Sequence, residues 1–305
     1  MKRTLWALLL LAVLVIGYLG VGLVVADRLS APSHQPQELT PTDVGLNYCE
    51  VNVPSTDGLE LAGWWVPGND PSRAVVLVPG IEGDKSDRHV LKTASVYAGA
   101  GHAVFMVDLR AQGGSEGERV TMGYKEVRDV RGALLWLNER GFASGEVVLH
   151  GFSLGGATVL RAAPKSGVAA VVEESAYADL PLILRQRLPK VSGLPSFFTP
   201  GVLLMGKLFL SIDPWAMRPK EDAEGSATRE YRCSSSILPT TRRRPSHTPG
   251  GSRLRAPRPP SGVLRVTSTS EPTRTQSIGR GLSAFCGRKC SQRSPEGDLS
   301  RPVRG

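Results

Sequence analysis

Histidine and cysteine are scarce in this chain of 305 residues, which contains five histidines and four cysteines. No two cysteines have the two-residue spacing of a zinc or redox site, and no histidine clusters with them. We therefore expect neither a metal nor a cofactor. Cysteine usage does not indicate the redox compartment, because only Cys49 lies outside residues 224–305.

A uniformly basic surface is also excluded, although the formal net charge is +9. Residues 224–305 contain 16 Lys and Arg against 5 Asp and Glu, whereas the rest of the chain contains 21 basic and 23 acidic residues. The basic residues of this C-terminal segment are scattered and lack aromatic partners, unlike those of a nucleic-acid site. Nucleic acid is therefore not an expected partner, and a tail that binds nucleic acid or anionic lipid stays an alternative.

One uninterrupted apolar run of 22 residues, Leu5–Ala26, follows Lys2 and Arg3. A helix of about 20 residues crosses the hydrocarbon core of a bilayer, whereas the apolar part of a signal peptide has about 7–15. Residues 1–28 are therefore predicted to be an N-terminal membrane anchor, with a long cleaved signal as the alternative. The two cations predict a cytoplasmic N-terminus and a domain outside the cytoplasm.

Short apolar runs alternate with helical patterns from Tyr48 onward, after a Pro-, Ser- and Thr-rich segment, residues 29–46, that we interpret as a linker. The sequence predicts a hairpin at Asp57-Gly58 and an amphipathic helix over Gly123–Arg140. This alternation predicts an α/β fold, with a mostly parallel sheet and helices on both faces. The predicted strands are Val51–Val53, Leu59–Val66, Ala74–Val78, Ala103–Val107, Val147–Leu149 and Val168–Val172.

The pentapeptide Gly151-Phe152-Ser153-Leu154-Gly155 fits G-x-S-x-G and lies between a predicted strand and a predicted helix. This is the context that a nucleophilic serine needs, because the two glycines permit a tight turn that exposes the hydroxyl at a helix N-terminus. Ser153 is therefore the candidate catalytic residue, with Gly151 and Gly155 as the glycines of the turn.

An acyl-transfer nucleophile also requires donors for the oxyanion that develops on the substrate. The loop Val78–Gly83 ends a predicted buried strand, and the backbone N–H groups of Ile81 and Leu154 would face each other across the edge of the sheet. These two residues are the candidate oxyanion hole. A plain turn at the end of the strand is the alternative.

Together, these segments resemble the membrane-anchored α/β-hydrolases of the serine-hydrolase superfamily, which contains esterases, lipases and thioesterases. The resemblance runs from about Tyr48 to Asp222 and departs from the family at Pro79, where many members have histidine. It implies an α/β-hydrolase domain over residues 47–223, a small helical lid at about 180–215, and an ester or thioester substrate with an acyl or lipid group. The other matching segments are Val75–Gly83, Asp108–Gly117, Gly123–Leu137 and Glu174–Asp179.

The other two members of a serine triad do not appear in the pattern. In this family an acid and then a histidine follow the serine on later strands. Residues 224–305, however, contain only 11 Val, Ile, Leu or Phe, too few for a packed domain. Asp108 and Glu174 resemble residues that brace loops, and we interpret His102 and His150 as structural. The C-terminal strands of the fold are thus expected to be absent.

A shifted reading frame would account for this abrupt change. If each codon began at the last base of the preceding one, residues 230–241 would encode an apolar strand, a possible His, two small residues and two possible Asp. The same shift over residues 262–268 permits Gly, two small residues, Gly and His. In the printed frame, residues 224–305 are a basic tail and the hydrolase lacks its acid and base. The alternative is an α/β-hydrolase-fold protein that binds ligands without catalysis.

Overall fold

The computed structural model describes residues 2–225. The strands in that range are β1 (Cys49–Pro54), β2 (Glu60–Val66), β3 (Asp70–Val78), β4 (His102–Val107), β5 (Val147–Phe152) and β6 (Ala170–Glu174). They form one sheet in the order β1-β2-β4-β3-β5-β6. The β1–β2 and β2–β4 pairs are antiparallel, and the other pairs are parallel.

Helices cover both faces of this sheet. Within the described range they are α1 (Lys2–Leu29), α2 (Arg88–Gly99), α3 (Val127–Asn138), α4 (Leu154–Ala162), α5 (Leu180–Ser192), α6 (Thr199–Phe209) and α7 (Pro219–Gly225). Apolar side chains of α2 are buried on one face of the sheet, and those of α3 and α4 are buried on the other. The predicted α/β architecture, mostly parallel with helices on both faces, is confirmed.

Local turns decide where two of the predicted elements end. The hairpin between β1 and β2 turns at Asp57-Gly58, as the sequence predicts, with Gly58 at a φ of 90°. The helix predicted over Gly123–Arg140 is shorter in the structure, because α3 begins only at Val127. Met122 and Gly123 have φ angles of 55° and 86°, and a left-handed backbone cannot continue into a right-handed helix.

Residues 29–46 are not the free linker that the sequence predicts. Ser33 forms a parallel bridge with Gln112, and its N–H donates to the carbonyl of Ala111 at 2.8 Å. Three apolar side chains of this segment also pack against the core on the α2 face of the sheet: Leu39, Val44 and Leu46. Most residues of the segment are polar, and this composition predicts a linker. Its few apolar side chains nevertheless hold the segment on the domain.

Helix α1 is apolar and mostly exposed. Its mean hydropathy over 18 residues is 2.9, and 6% of that window is buried. It is long and apolar enough to cross a membrane, a property that a signal sequence near an N-terminus shares. Residues 2–17 are exposed throughout, whereas Gly22, Val25 and Ala26 are buried, with Val25 and Ala26 packed against the insert formed by α5 and α6.

Several predictions lie outside the described residues. They are the basic tail predicted over residues 224–305, the absence of later strands, and the acid and histidine that a shifted frame would encode. Of residues 224–305, the structure describes only Glu224 and Gly225, at the end of α7.

Candidate active site

Ser153 lies in the turn between β5 and α4, at the carboxyl edge of the sheet. Its backbone has a φ of 51° and a ψ of −108°, a conformation that side chains disfavour. Its N–H donates to the carbonyl of Glu174 at the end of β6, at 2.7 Å, and its carbonyl accepts from Ala157 in α4. The neighbouring strand and the helix therefore hold this residue in its strained conformation.

The space around the two glycines of the motif is too small for a side chain. A Cβ added to Gly151 would lie 2.3 Å from the carbonyl oxygen of Gly155. A Cβ added to Gly155 would lie 2.3 Å from the carbonyl oxygen of Val78 and 2.4 Å from that of Pro79. All of these neighbours are backbone atoms that cannot rotate away. Close contact between α4 and the end of β3 thus depends on Gly155.

The loop after β3 lies beside Ser153. A Cβ added to Gly80 would lie 3.4 Å from the Cβ of Ser153. Ile81 follows Gly80 and is 40% exposed, while Leu154 is the first residue of α4. The N–H of Leu154 has no acceptor within the helix and lies at its positive end. The structure therefore brings the loop that carries Ile81 and the helix that begins with Leu154 to the same edge of the sheet.

Gln112 holds this loop, a role that the sequence does not reveal. Its side-chain N–H₂ group donates to the carbonyl of Gly80 at 2.9 Å and to that of Gly83 at 3.1 Å. Gln112 is fully buried, and within residues 2–225 its Oε1 atom has no hydrogen-bond partner. Gln112 lies in the segment Asp108–Gly117, which matches the family resemblance, but nothing in that segment indicates these partners.

Asp108 braces the other end of the same loop. Its carboxylate accepts from the N–H of Lys85 at 2.7 Å, from the Lys85 ammonium at 2.5 Å and from the N–H of Gly114 at 2.9 Å. Burial raises the pKa of the Asp108 carboxyl, and the charge of Lys85 opposes that shift. Asp108 thus ties loops together, in the position where the resemblance places a bracing residue.

Four histidines lie in the described part of the chain, and none of them is hydrogen-bonded to the Ser153 hydroxyl. His150 is buried between the Tyr97 hydroxyl at 3.1 Å and the Glu174 carboxylate at 3.0 Å. Burial lowers the pKa of His150, and Glu174 opposes that shift. His89 packs edge-on against Phe152 at 4.8 Å between ring centroids. Residues 2–225 therefore supply a serine and its surroundings without a base in contact.

Two cavities lie where the end of α1 meets the domain. A cleft of about 480 Å³ is lined by residues 28–29 and 31–36 together with Ile81, Glu82 and Val120. It connects the point where α1 ends with the loop beside Ser153. A smaller apolar cavity of about 40 Å³ lies between the end of α1 and the insert, and its lining includes Ala26, Leu29, Val202 and Leu210.

The fold and sequence are similar to those of known proteins. The esterase Pf2001 of Pyrococcus furiosus superposes with a TM-score of 0.50 at 22% identity, over 59% of this chain and 70% of that one. An uncharacterised protein of Mycobacterium tuberculosis is 29% identical over 175 residues, 52% of this chain and 60% of the relative. The polyketide transferase ATR5 of Stachybotrys chlorohalonatus is 29% identical over 165 residues, 49% of this chain and 55% of the relative.

The fold of this chain is thus the α/β-hydrolase fold. The chain spans less than two thirds of the length of these curated relatives. A family model described as X-Pro dipeptidyl-peptidase (S15 family) matches residues 34–197. Because that match covers more than half of the chain, the protein belongs to this family of α/β-hydrolases.

Proposed function

We propose that this chain is a membrane-anchored serine hydrolase that cleaves carboxylic esters or thioesters through an acyl-enzyme on Ser153. The observation that carries the proposal is the backbone of Ser153, held at a φ of 51° at the N-terminus of α4. A strained serine in a strand–turn–helix is the arrangement of a nucleophile elbow, and strain of this kind persists where function requires it.

The surroundings of Ser153 support the rest of the acyl-transfer chemistry. A base removes the hydroxyl proton as the oxygen attacks the carbonyl carbon, and the negative charge moves to the carbonyl oxygen. The N–H groups of Ile81 and Leu154 are the proposed donors to that oxyanion. Gln112 fixes the loop that carries Ile81 by donating hydrogen bonds to the carbonyls of Gly80 and Gly83. We propose that these bonds orient the N–H group of Ile81.

In this proposal, the shifted reading frame of the C-terminal segment encodes the catalytic base and acid. Sequencing the genomic DNA from codon 215 to the stop codon tests this point. A single miscalled base near codons 223–230 would restore a strand, an acid and a histidine. If the printed frame stands, the chain is a hydrolase without its acid and base, and its turnover falls by orders of magnitude.

Labelling with a fluorophosphonate probe tests the nucleophile itself. The full chain in the shifted frame should be labelled, and Ser153→Ala should abolish the label while Ser166→Ala leaves it unchanged. The chain in the printed frame should react at least about a thousandfold more slowly, because a triad without its base keeps only the oxyanion hole and binding. An unlabelled chain in the shifted frame would instead indicate the non-catalytic binding protein.

The family description favours a second substrate class, peptides with proline in the second position. The polyketide transferase and the esterase among the similar proteins support an acyl group instead. Comparing kcat/KM for p-nitrophenyl octanoate and for Ala-Pro-p-nitroanilide decides between the classes, and a higher value for the anilide would favour a peptidase.

We also propose that α1 is a retained anchor, with the N-terminus in the cytoplasm and the domain outside it. Its apolar length and the cations Lys2 and Arg3 support this orientation. Mass measurement of the N-terminal peptide from membranes tests retention, because cleavage after Ala26 would remove the apolar run.

A further inference from the structure

Helices α1 and α6 lie side by side with little space between their backbones. A Cβ added to Gly22 would lie 2.8 Å from the carbonyl carbon of Gly201, and one added to Gly201 would lie 2.7 Å from the ring of Tyr18. The Tyr18 hydroxyl accepts from the N–H of Gly201 at 3.0 Å and donates to the carbonyl of Phe197 at 2.9 Å. These contacts hold α6 in a fixed position along α1.

The same contacts show which part of α6 lies furthest along α1 from the domain. The ring of Tyr18 stacks on that of Phe198, with centroids 5.2 Å apart. Val25 and Ala26, two turns closer to the domain, are buried with Val202 in one apolar cluster. Residues 197–201, which contact Tyr18 through Phe197, Phe198 and Gly201, are therefore level with it, and we call them the tip of the insert.

The length of α1 determines how far the tip must enter a bilayer. The hydrocarbon core is about 30 Å thick and a helix rises about 1.5 Å per residue, so a spanning helix needs about 20 residues. Counted from Leu5, just after the cations Lys2 and Arg3, the core ends near Val24. Tyr18 lies one and a half turns before that point, about 9 Å below the surface of the near leaflet.

We propose that the tip of the insert is embedded in the near leaflet of the membrane that α1 spans. This inference rests on the membrane anchoring proposed above. It follows because α1 cannot span the bilayer through residues 2–17 alone, which measure only about 24 Å. Any further residues of α1 that enter the membrane take the tip with them, since the two are packed together.

The composition of the tip fits a hydrocarbon environment. The tip and the four residues before it, residues 193–201 together, contain no charged residue. Phe197 is 62% exposed although it is a large apolar side chain. Exposed aromatic groups of this kind mark surfaces that contact a partner, and here the bilayer is the partner that the neighbouring α1 supplies.

Charges on α5 fit the same placement. Leu188 is buried in the cluster that contains Val25, which places it where the hydrocarbon core ends. Arg185 and Arg187 are exposed and precede Leu188 on the side away from the tip, at the level of anionic lipid headgroups. Lys190 lies nearer the tip, and its long side chain can reach the interface while its stem stays among lipid chains.

Photocrosslinking of the full chain in vesicles of phosphatidylcholine and phosphatidylglycerol tests the proposal. The photoreactive residue p-benzoyl-phenylalanine is placed, one position at a time, at Phe197, Leu11 or Val96. Leu11 lies in the exposed part of α1 and reports anchoring, whereas Val96 is an exposed apolar residue of α2 in the domain. All three side chains are more than half exposed, and at Phe197 the photoreactive residue keeps the phenyl ring that contacts Phe198.

The expected result is lipid adducts at Leu11 and at Phe197, at least about tenfold more abundant than at Val96. Adducts at Leu11 with none at Phe197 would overturn tip insertion while leaving the anchor in place. The absence of adducts at both positions would show that the chain is not in the membrane, and both proposals would then fail.

Discussion

The strain at Ser153 predicts an unusual order of stability between two substitutions. In Ser153→Ala the Cβ remains, and the residue keeps the cost of its φ of 51° and ψ of −108°. In Ser153→Gly that cost disappears, because glycine adopts positive φ without a steric penalty. A backbone in such a sparsely populated region costs about 1–3 kcal/mol.

Glycine also has a cost of its own. It loses more conformational entropy on folding than alanine, by about 0.5–1 kcal/mol in ordinary positions. The difference leaves Ser153→Gly more stable than Ser153→Ala by about 0–2.5 kcal/mol.

Urea unfolding of the full chain in detergent micelles, followed by tryptophan fluorescence, measures this difference. Ser95 in α2 is the matched control, because its backbone is helical and alanine should there be more stable than glycine by about 1 kcal/mol. The same order at both positions, with alanine more stable, would show that the backbone of Ser153 is not strained. It would also remove the main support for the proposed catalytic role of this residue.

Two further predictions concern buried charge and pH. Arg110→Met should destabilise the fold by about 3–5 kcal/mol, because Arg110 pairs with the fully buried Asp129 at 2.6 Å. The control Arg128→Met removes an exposed ion pair with Asp57 and should cost less than about 1 kcal/mol. Equal losses of unfolding free energy would contradict this. Burial lowers the pKa of His150 below 6.5, so the unfolded chain binds a proton at a higher pH than the folded chain does. The free energy of unfolding should therefore decrease as the pH drops below about 6.5. The variant His150→Gln should lose part of that slope, and an unchanged slope in pH-dependent unfolding would refute this origin.

Short-range patterns in the sequence predict the part of the site that is built locally. The turn at Ser153 depends on glycines two residues away on either side, so one pentapeptide contains the information. The sheet and its helices follow for the same reason, because each strand is a short apolar run between turn residues. The predicted ends of the elements were less accurate. The start of α3 is one example, because a left-handed turn at Met122 does not change the apolar periodicity.

Contacts between distant segments could not be predicted in this way. Gln112 reaches Gly80 and Gly83 only after β3 and β4 have paired, and nothing beside it in the sequence indicates those partners. The packing of Gly22 on Gly201 joins residues from opposite ends of the described chain. Such contacts depend on the complete topology, so patterns of neighbouring residues do not contain them.

The bridge between Ser33 and Gln112 couples the segment that follows α1 mechanically to the loop beside Ser153. One residue pairs with the chain as it leaves α1 and also clamps the loop beside Ser153, so a displacement of α1 is transmitted to that loop within two contacts. A soluble form cut at the predicted domain boundary, near residue 47, would lose this brace. A test of the proposed activity on that form would then report on a loosened loop, so such tests should start from the chain that keeps residues 30–46.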